Sequence, residues 1–491
     1  MKKILLVALA TLMCSAAIAQ NPDAVYKLLR QEWTVNPDGT SDYHYRHEVQ
    51  ILRTRALTAY ADKGETFVVY NPDLEELTVN EVYTVQKDGT RVEMPQNAYV
   101  YQLPSTCASC GRFNHIRELA MVHTGMELGC TIVVDYTIHR RYNLVNRTIE
   151  LVRDCPVERF EVNIAVPDGQ EIGVQLNDPG VFVFKPTVEQ SAISYRLTAL
   201  NLPQEYRDYY LPARTQLYPS LHFFNGTPDF VPAFDRQGLK AAEDVAYQLM
   251  DSREVRGNVT AIRDYVVENI HLNDIEPAVL GYTHSTAAEV WNTGCGTATD
   301  KAVLLAAMLN QVGYNARVIG DGCDEVGVII DTLEYRIGVR TKSPVSLYGE
   351  ARDEVTPVTY NRNHVVYKMD TLEGGFYRLP FARIDEAPAI DAGRLAVSRV
   401  APLATQMCDI NVCDKYTLPK GTKMVGSAVS RSLSYDGLGS VEVSVKQKGK
   451  TLSVDRRLKI EKSTINPDDY ANYRRLIVAW QETDAVLLKT K

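Results

Sequence analysis

A cysteine ahead of an apolar run, and a histidine at the head of a later strand, could together do chemistry in this sequence. Cys295 stands in Asn292-Thr293-Gly294-Cys295-Gly296-Thr297, just upstream of the almost unbroken apolar stretch Asp300 to Val312. His364 stands in Asn361-Arg362-Asn363-His364 and opens the strand-like run Val365 to Met369. A helix start lowers a thiol's pKa, an imidazole on a strand can take its proton, and a third polar group can orient the ring. A thiolate so activated attacks a carbonyl carbon and passes through a covalent acyl intermediate.

Positioning that trio requires an α+β unit, and the periodicity predicts one over about residues 236–390. Leu239, Ala242, Val245, Ala246, Leu249 and Met250 fall on one helical face, and Val259, Ile262, Tyr265, Val266 and Ile270 on another. The stretch from Asp300 to Val312 is apolar all round, which marks a central, buried helix. Thr297 and Asp300 have the spacing of a capping pair, so Thr297 is the expected N-cap and Ala298 the first helical residue. Gly313 closes the helix. Strands are expected at Ala316–Ile319, Tyr335–Val339 and His364–Met369.

The flanking regions read as β. Residues 20–235 carry strands at 32–35, 43–52, 79–85, 131–136 and 160–167, separated by turns such as Asn36-Pro37-Asp38-Gly39, which fits a β-sandwich. Their tyrosines and histidines read as a solvated sheet face. Residues 391–491 repeat the pattern at Val441–Val445 and Leu452–Ile460. One helix then starts with Asn466 as N-cap and Pro467 first, and buries Tyr470, Tyr473, Ile477 and Trp480. Residues 1–19 form a basic start, an apolar run and an Ala17-Ile18-Ala19 cleavage pattern, so a secretory signal peptide is expected, with a periplasmic or secreted chain as its product. Met13 before Cys14 argues against lipidation. No other apolar run reaches the roughly 20 residues that span a membrane.

The 491 residues carry a formal net charge of -8 with no Lys/Arg cluster, which argues against nucleic acid as a partner. Beyond Cys14, eight cysteines allow 105 complete pairings, and none is assigned. Cys107 and Cys110 form a CxxC in a loop rather than at a helix start, so a local disulfide or inert thiols are expected there, and Cys408 and Cys413 lie five apart. His115 and His123 sit nearby without a metal-ligand spacing, and neither a metal nor a cofactor is expected. Trp33, Trp291 and Trp480 are the only tryptophans, a thin basis for carbohydrate binding.

The stretch Gly294-Cys295-Gly296-Thr297-Ala298-Thr299-Asp300-Lys301-Ala302-Val303-Leu304-Leu305, with Gly313-Tyr314-Asn315-Ala316-Arg317-Val318, resembles the transglutaminase-like superfamily. Leu74 to Pro167 resembles the uncharacterised β-domain that precedes such cores in Gram-negative envelope proteins. Arg456 to Ile460, with Pro467-Asp468-Asp469-Tyr470, resembles their C-terminal β-domain. The resemblance implies a papain-like α+β core between two β-sandwiches. It implies a nucleophile two residues before Asp300-Lys301, where Ala298 stands, a histidine at His364, and an aspartate where Leu379 stands. Two of three catalytic positions are then lost. The expectation is a degenerate core that serves as a binding or scaffold module for a peptide or protein in the cell envelope; the alternative is a thiol enzyme using Cys295 and His364, with Asp385 or Asn363 as orienter, which attacks a peptide or glutamine amide and releases ammonia or an amine, water or a second amine then deciding between hydrolysis and cross-linking.

Overall fold

The computed structural model of the protein describes residues 22–57, 67–226, 238–250, 254–320, 326–330, 336–339, 357–382, 384, 395–426, 429–481 and 485–490. The expected leader and Asp385 lie outside them. Contacts divide the chain into two compact units. One holds Ala19–Glu205 and Tyr218–Ser343; the other holds Met1–Ile18, Tyr206–Leu217 and Pro344–Lys491.

The first unit begins with strands β1 (Ala24–Val35), β2 (Ser41–Ile51), β3 (Phe67–Tyr70), β4 (Glu75–Val85), β5 (Arg91–Glu93), β6 (Tyr99–Gln102) and β7 (Arg117–Met121). It continues with β8 (Thr131–Arg140), β9 (Asn146–Glu150), β10 (Val157–Ala165), β11 (Gly173–Asn177), β12 (Thr187–Gln190), β13 (Ser194–Leu202) and β14 (Ser220–Phe224). Eight of them form one sheet in the order β12-β13-β10-β1-β2-β8-β4-β5, in which only the β1–β10 pair is parallel. A second sheet runs β11-β14-β9 and a third β3-β7-β6. Trp33 on β1 packs on Phe223 of β14 at 4.8 Å between rings, so the large sheet and the β14 sheet share one core. That is the expected sandwich.

The longer helices among the described residues of this unit are α1 (Lys240–Leu249), α2 (Val255–Asn269), α3 (Ala287–Thr293) and α4 (Ala298–Gln311). Twelve consecutive residues of α4, Ala298 to Leu309, are buried, as its all-round apolar sequence demands. Gly313 follows with φ +93°, and the Tyr314 N–H bonds back to Leu309 O at 3.0 Å, a left-handed helix stop that suits glycine. Short strands β15 (His271–Leu272) and β16 (Cys295–Gly296) pair in parallel, and β17 (Ala316–Ile319), β18 (Gly327–Ile330) and β19 (Arg336–Gly338) form a small antiparallel sheet.

The second unit holds β20 (Val358–Arg362), β21 (Asp370–Thr371), β22 (Phe376–Pro380), β23 (Leu403–Ala404), β24 (Cys408–Thr417), β25 (Thr422–Met424), β26 (Val429–Tyr435), β27 (Gly439–Lys448), β28 (Thr451–Ile460), β29 (Thr464–Ile465), helix α5 (Pro467–Gln481) and β30 (Ala485–Thr490). A five-stranded sheet, β20-β24-β28-β27-β26, and a four-stranded one, β21-β22-β30-β25, share a core with α5, whose Tyr470, Tyr473, Leu476, Ile477 and Trp480 are buried.

The expected strand His364–Met369 is not a ladder strand. Pairing with β24 ends at Arg362, and the following segment keeps one backbone bond, Val365 N–H to Lys415 O. Its alternation is real nonetheless: Val365, Tyr367 and Met369 pack on the core while Val366 is exposed. Apolar alternation records which side chains face a core, not whether the backbone pairs.

Candidate functional site

The start of α4 is where the sequence places chemistry. Thr297 Oγ1 accepts the Asp300 N–H at 3.2 Å, and Asp300 Oδ2 accepts the Thr297 N–H at 2.8 Å, so the capping box forms and Ala298 opens the helix. Asp300 is fully buried. Its Oδ1 accepts the Ser285 N–H at 2.6 Å, and its Oδ2 takes Arg112 Nη2 at 3.1 Å. Gly296 lies against this carboxylate: a Cβ there would sit 2.7 Å from Asp300 Cβ, so no larger residue fits. The neighbouring Lys301 is also fully buried and donates from Nζ to Val267 O at 3.1 Å and Ile270 O at 2.7 Å, satisfying carbonyls left open at the end of α2. Burial, with the Arg263 charge, draws its ammonium pKa down to about 8.

Cys295 is not a free thiol. Its sulfur is bonded to Cys110, 185 residues earlier, with Cα atoms 6.0 Å apart. Of the two expectations for the CxxC, a local disulfide or inert thiols, the local disulfide does not form: Cys107 is free and buried, with its thiol pushed up by burial, and Cys110 pairs at long range. Around the bridge Cys107, Phe113, Ile116, Ile275 and Val279 make a small apolar cluster. Asn273 Nδ2 adds bonds to Thr106 O at 2.7 Å and Ser109 Oγ at 3.1 Å. The loop between β6 and β7 is thus held to the helical core by a disulfide, the Arg112–Asp300 ion pair and the Asn273 amide. While Cys295 is bridged it has no thiolate to offer.

The other candidates belong to the second unit or fall outside the described residues. His364 and Asn363 are exposed and belong to the second unit, as does Leu379, which is fully buried on β22 opposite Val486 of β30. Asp385 lies outside the described residues. Cys408 and Cys413 are unbridged on β24, and burial raises the Cys408 thiol to about 11. Among the described residues no group of three His, Cys, Asp or Glu side chains is placed to hold a metal.

A second concavity was missed in the sequence. In the first unit a cleft of about 440 Å³ opens between the face of the large sheet and β9. Tyr26, Tyr43, Tyr45 and Tyr136 form its wall. Tyr45 and Tyr136 stack at 5.1 Å, and Tyr43 packs on Trp33 at 4.8 Å. Tyr26, Tyr43 and Tyr136 are buried, so the reading of these tyrosines as a solvated face is corrected. Tyr43 donates to Gln31 Oε1 at 3.2 Å, and desolvation raises its phenol to about 12, which keeps the wall neutral. Opposite, Arg147 binds Glu276 at 2.7 and 3.3 Å, and this guanidinium holds the carboxyl below its ordinary range. The available signal was Tyr43 and Tyr45 two apart on one strand. Nothing in the sequence announced that β9 would lie over them.

By its sequence matches the chain carries a transglutaminase-like core between two β-rich regions. In the family models, residues 243–341 match the transglutaminase-like superfamily, residues 37–205 match DUF3857 and residues 381–488 match DUF3858, both domains of unknown function. The core match includes Cys295 and ends before His364. A crystal structure of a candidate protease from Parabacteroides distasonis is 26% identical over 95% of this chain and 99% of its own, with a TM-score of 0.70. Two crystal structures of an M1 zinc metallopeptidase from Deinococcus radiodurans align over 42% of this chain and 43% of theirs at 11% identity and a TM-score of 0.19, too low to carry an argument. None of the curated proteins matches the sequence. No helix among the described residues is long and apolar enough to cross a membrane.

Proposed function

We propose that the protein is an exported, transglutaminase-like binding module of the cell envelope whose core has lost thiol catalysis. One observation carries the reading: the only cysteine beside the helix start, Cys295, is bonded through its sulfur to Cys110, and the first helical position is Ala298. A methyl group cannot attack a carbonyl, and a disulfide sulfur is no nucleophile at an amide. Export is supported by the leader pattern of residues 1–19 and by the disulfide itself, since such bonds persist in oxidising compartments. The partner is a peptide or protein, and nucleic acid does not suit so acidic a chain.

Thiol reactivity tests the proposal. Iodoacetamide labelling of the oxidised full chain is followed by mass spectrometry at Cys295 across pH, beside His364→Ala. The expected result is no labelling of Cys295 before reduction, and an ordinary thiol profile afterwards that ignores the histidine. Fast labelling with an apparent pKa well below the reference of ~8.5, lost in His364→Ala, overturns the proposal in favour of a thiol enzyme acting through Cys295 and His364.

A further inference from the structure

The cleft between the tyrosine wall and β9 holds polar groups that the fold leaves unused. Arg153 lines it, and its guanidinium has no hydrogen-bond or ion-pair partner among the described residues; its buried Nε is unsatisfied, and it lies over the Phe160 ring at 5.7 Å. Thr148 Oγ1, also lining the cleft, is buried and unpartnered. Unsatisfied buried donors are costly and uncommon, and several around one concavity point to a ligand that completes them. The volume lies in the range of roughly 300–1,000 Å³ found for ligand sites.

The backbone of β9 says what kind of ligand. Among the described residues β9 is an edge strand of its sheet and pairs with β14. In an antiparallel ladder alternate residues bond the neighbour and the others face away. Val145 O accepts from Asn225 N–H, and Leu151 N–H donates to Pro219 O, so the odd-numbered residues serve the β14 side. Asn146 confirms the parity: its N–H and C=O both meet the Tyr282 hydroxyl, at 3.1 and 2.9 Å, on the opposite edge. Thr148 shares that parity, so its N–H and C=O face away from β14. Arg147, Thr148, Ile149 and Glu150 all line the cleft although their side chains alternate between faces, as happens when a cleft runs along a strand's edge. A free sheet edge pairs with an extended peptide. A sugar has no backbone to offer it.

Charge fixes the peptide's end. Arg147 is neutralised by Glu276, whereas Arg153, three residues beyond β9, is an uncompensated cation whose planar fork suits a carboxylate. We propose that this cleft binds the free C-terminus of an extended peptide, its backbone pairing with the Thr148 edge of β9, its terminal carboxylate on Arg153 and a side chain against the tyrosine wall. The inference rests on the binding-module reading above and names the partner class.

The test is affinity selection on the immobilised full chain from an equimolar library of random hexapeptides with free C-termini, beside the same library amidated, with retained peptides read by mass spectrometry. Retention from the free-acid library should exceed the amidated one at least tenfold. Arg153→Gln should remove that preference. Thr148→Pro removes the outward N–H, which proline tolerates on an edge strand, together with the Oγ1 hydroxyl, and should weaken retention several-fold with unchanged melting, more than Thr148→Val, which removes the hydroxyl alone. Equal retention of both libraries, indifference to both substitutions, or displacement of retained peptides by glucuronate as readily as by an acetylated dipeptide acid overturns the proposal. Failure here with an inert Cys295 rejects the cleft alone; a fast-labelling Cys295 rejects the binding-module reading and leaves the cleft result to stand by itself.

Discussion

Cutting the Cys110–Cys295 bridge should be the most costly single sulfur substitution in the protein. The bridge closes a loop of 185 residues, for which the chain-entropy treatment gives about 5 kcal/mol at 25 °C. Both sulfurs are buried, so a serine at either position also places a hydroxyl among Phe113, Ile116, Ile275 and Val279. The Arg112–Asp300 pair and the Asn273 amide survive and retain part of the docking, so 5 kcal/mol is the upper end and about 3–5 kcal/mol the expected loss. With a urea m-value of about 3 kcal/mol/M, the midpoint should fall by roughly 1–1.7 M in Cys110→Ser, Cys295→Ser or the double variant. Tryptophan fluorescence separates the units, since Trp33 and Trp291 lie in the bridged unit and Trp480 in the other. The Trp480 transition, isolated by Trp33→Phe with Trp291→Phe, should not move. Wild-type protein with reductant should coincide with the double variant, and Cys107→Ser should match wild type within about 1 kcal/mol, as expected for a buried thiol without a bridge. Coincident midpoints for Cys110→Ser and wild type under oxidising conditions would refute the reasoning. A shift in Cys107→Ser equal to that in Cys110→Ser would instead assign the bridge to the CxxC pair.

Four further outcomes follow from buried groups. Asp300→Ala removes the capping box and leaves the Arg112 guanidinium part-buried without its counter-charge, so about 3–5 kcal/mol should be lost in chemical denaturation. Lys301, with its folded pKa drawn down from 10.5 to about 8, contributes stability that is full above pH 10.5 and lost as pH falls through 8; urea midpoints of the wild type should rise between pH 8 and 10, and Lys301→Met should flatten that rise. His47 is buried with its pKa lowered by desolvation to about 3, so stability is lost as pH falls from 6.5 towards 3, and His47→Phe should reduce that acid sensitivity in thermal melts. Leu305→Asp sets an unpaired charge in the fully buried face of α4 and should abolish folding of the first unit; an unchanged melt would count against α4 as its central helix.

Much of the fold was legible because it rests on local signals. The capping pair Thr297–Asp300 and Gly313 bracketed α4 to within a residue, and Asn466-Pro467 did the same for α5. The strands through Tyr43, Val79 and Thr131 were readable from alternation and turns. What failed was long-range or backbone-dependent. The Cys110–Cys295 bond joins residues 185 apart, and no local pattern distinguishes it among the alternatives. His364–Met369 alternates like a strand, yet its ladder ends two residues earlier. The cleft needs β1, β2, β8 and β9 at once, so its tyrosines looked like a wet face when taken strand by strand.

The start of α4 shows why catalysis and this architecture compete for the same atoms. A thiol enzyme would use the helix dipole and the first open N–H groups to stabilise a thiolate. Here the Asp300 carboxylate already takes the Thr297 and Ser285 N–H groups and ends on Arg112, so the negative charge that belongs at this terminus is supplied by a fixed side chain. Cys295, held against Cys110, spends its sulfur on the same junction. Gly296 must stay glycine for Asp300 to come so close. Cys295, Gly296 and Asp300 together fasten the β6–β7 loop to the helical core. Loosening them to free a nucleophile would detach that loop, and this coupling is the physical argument behind the binding-module reading proposed above.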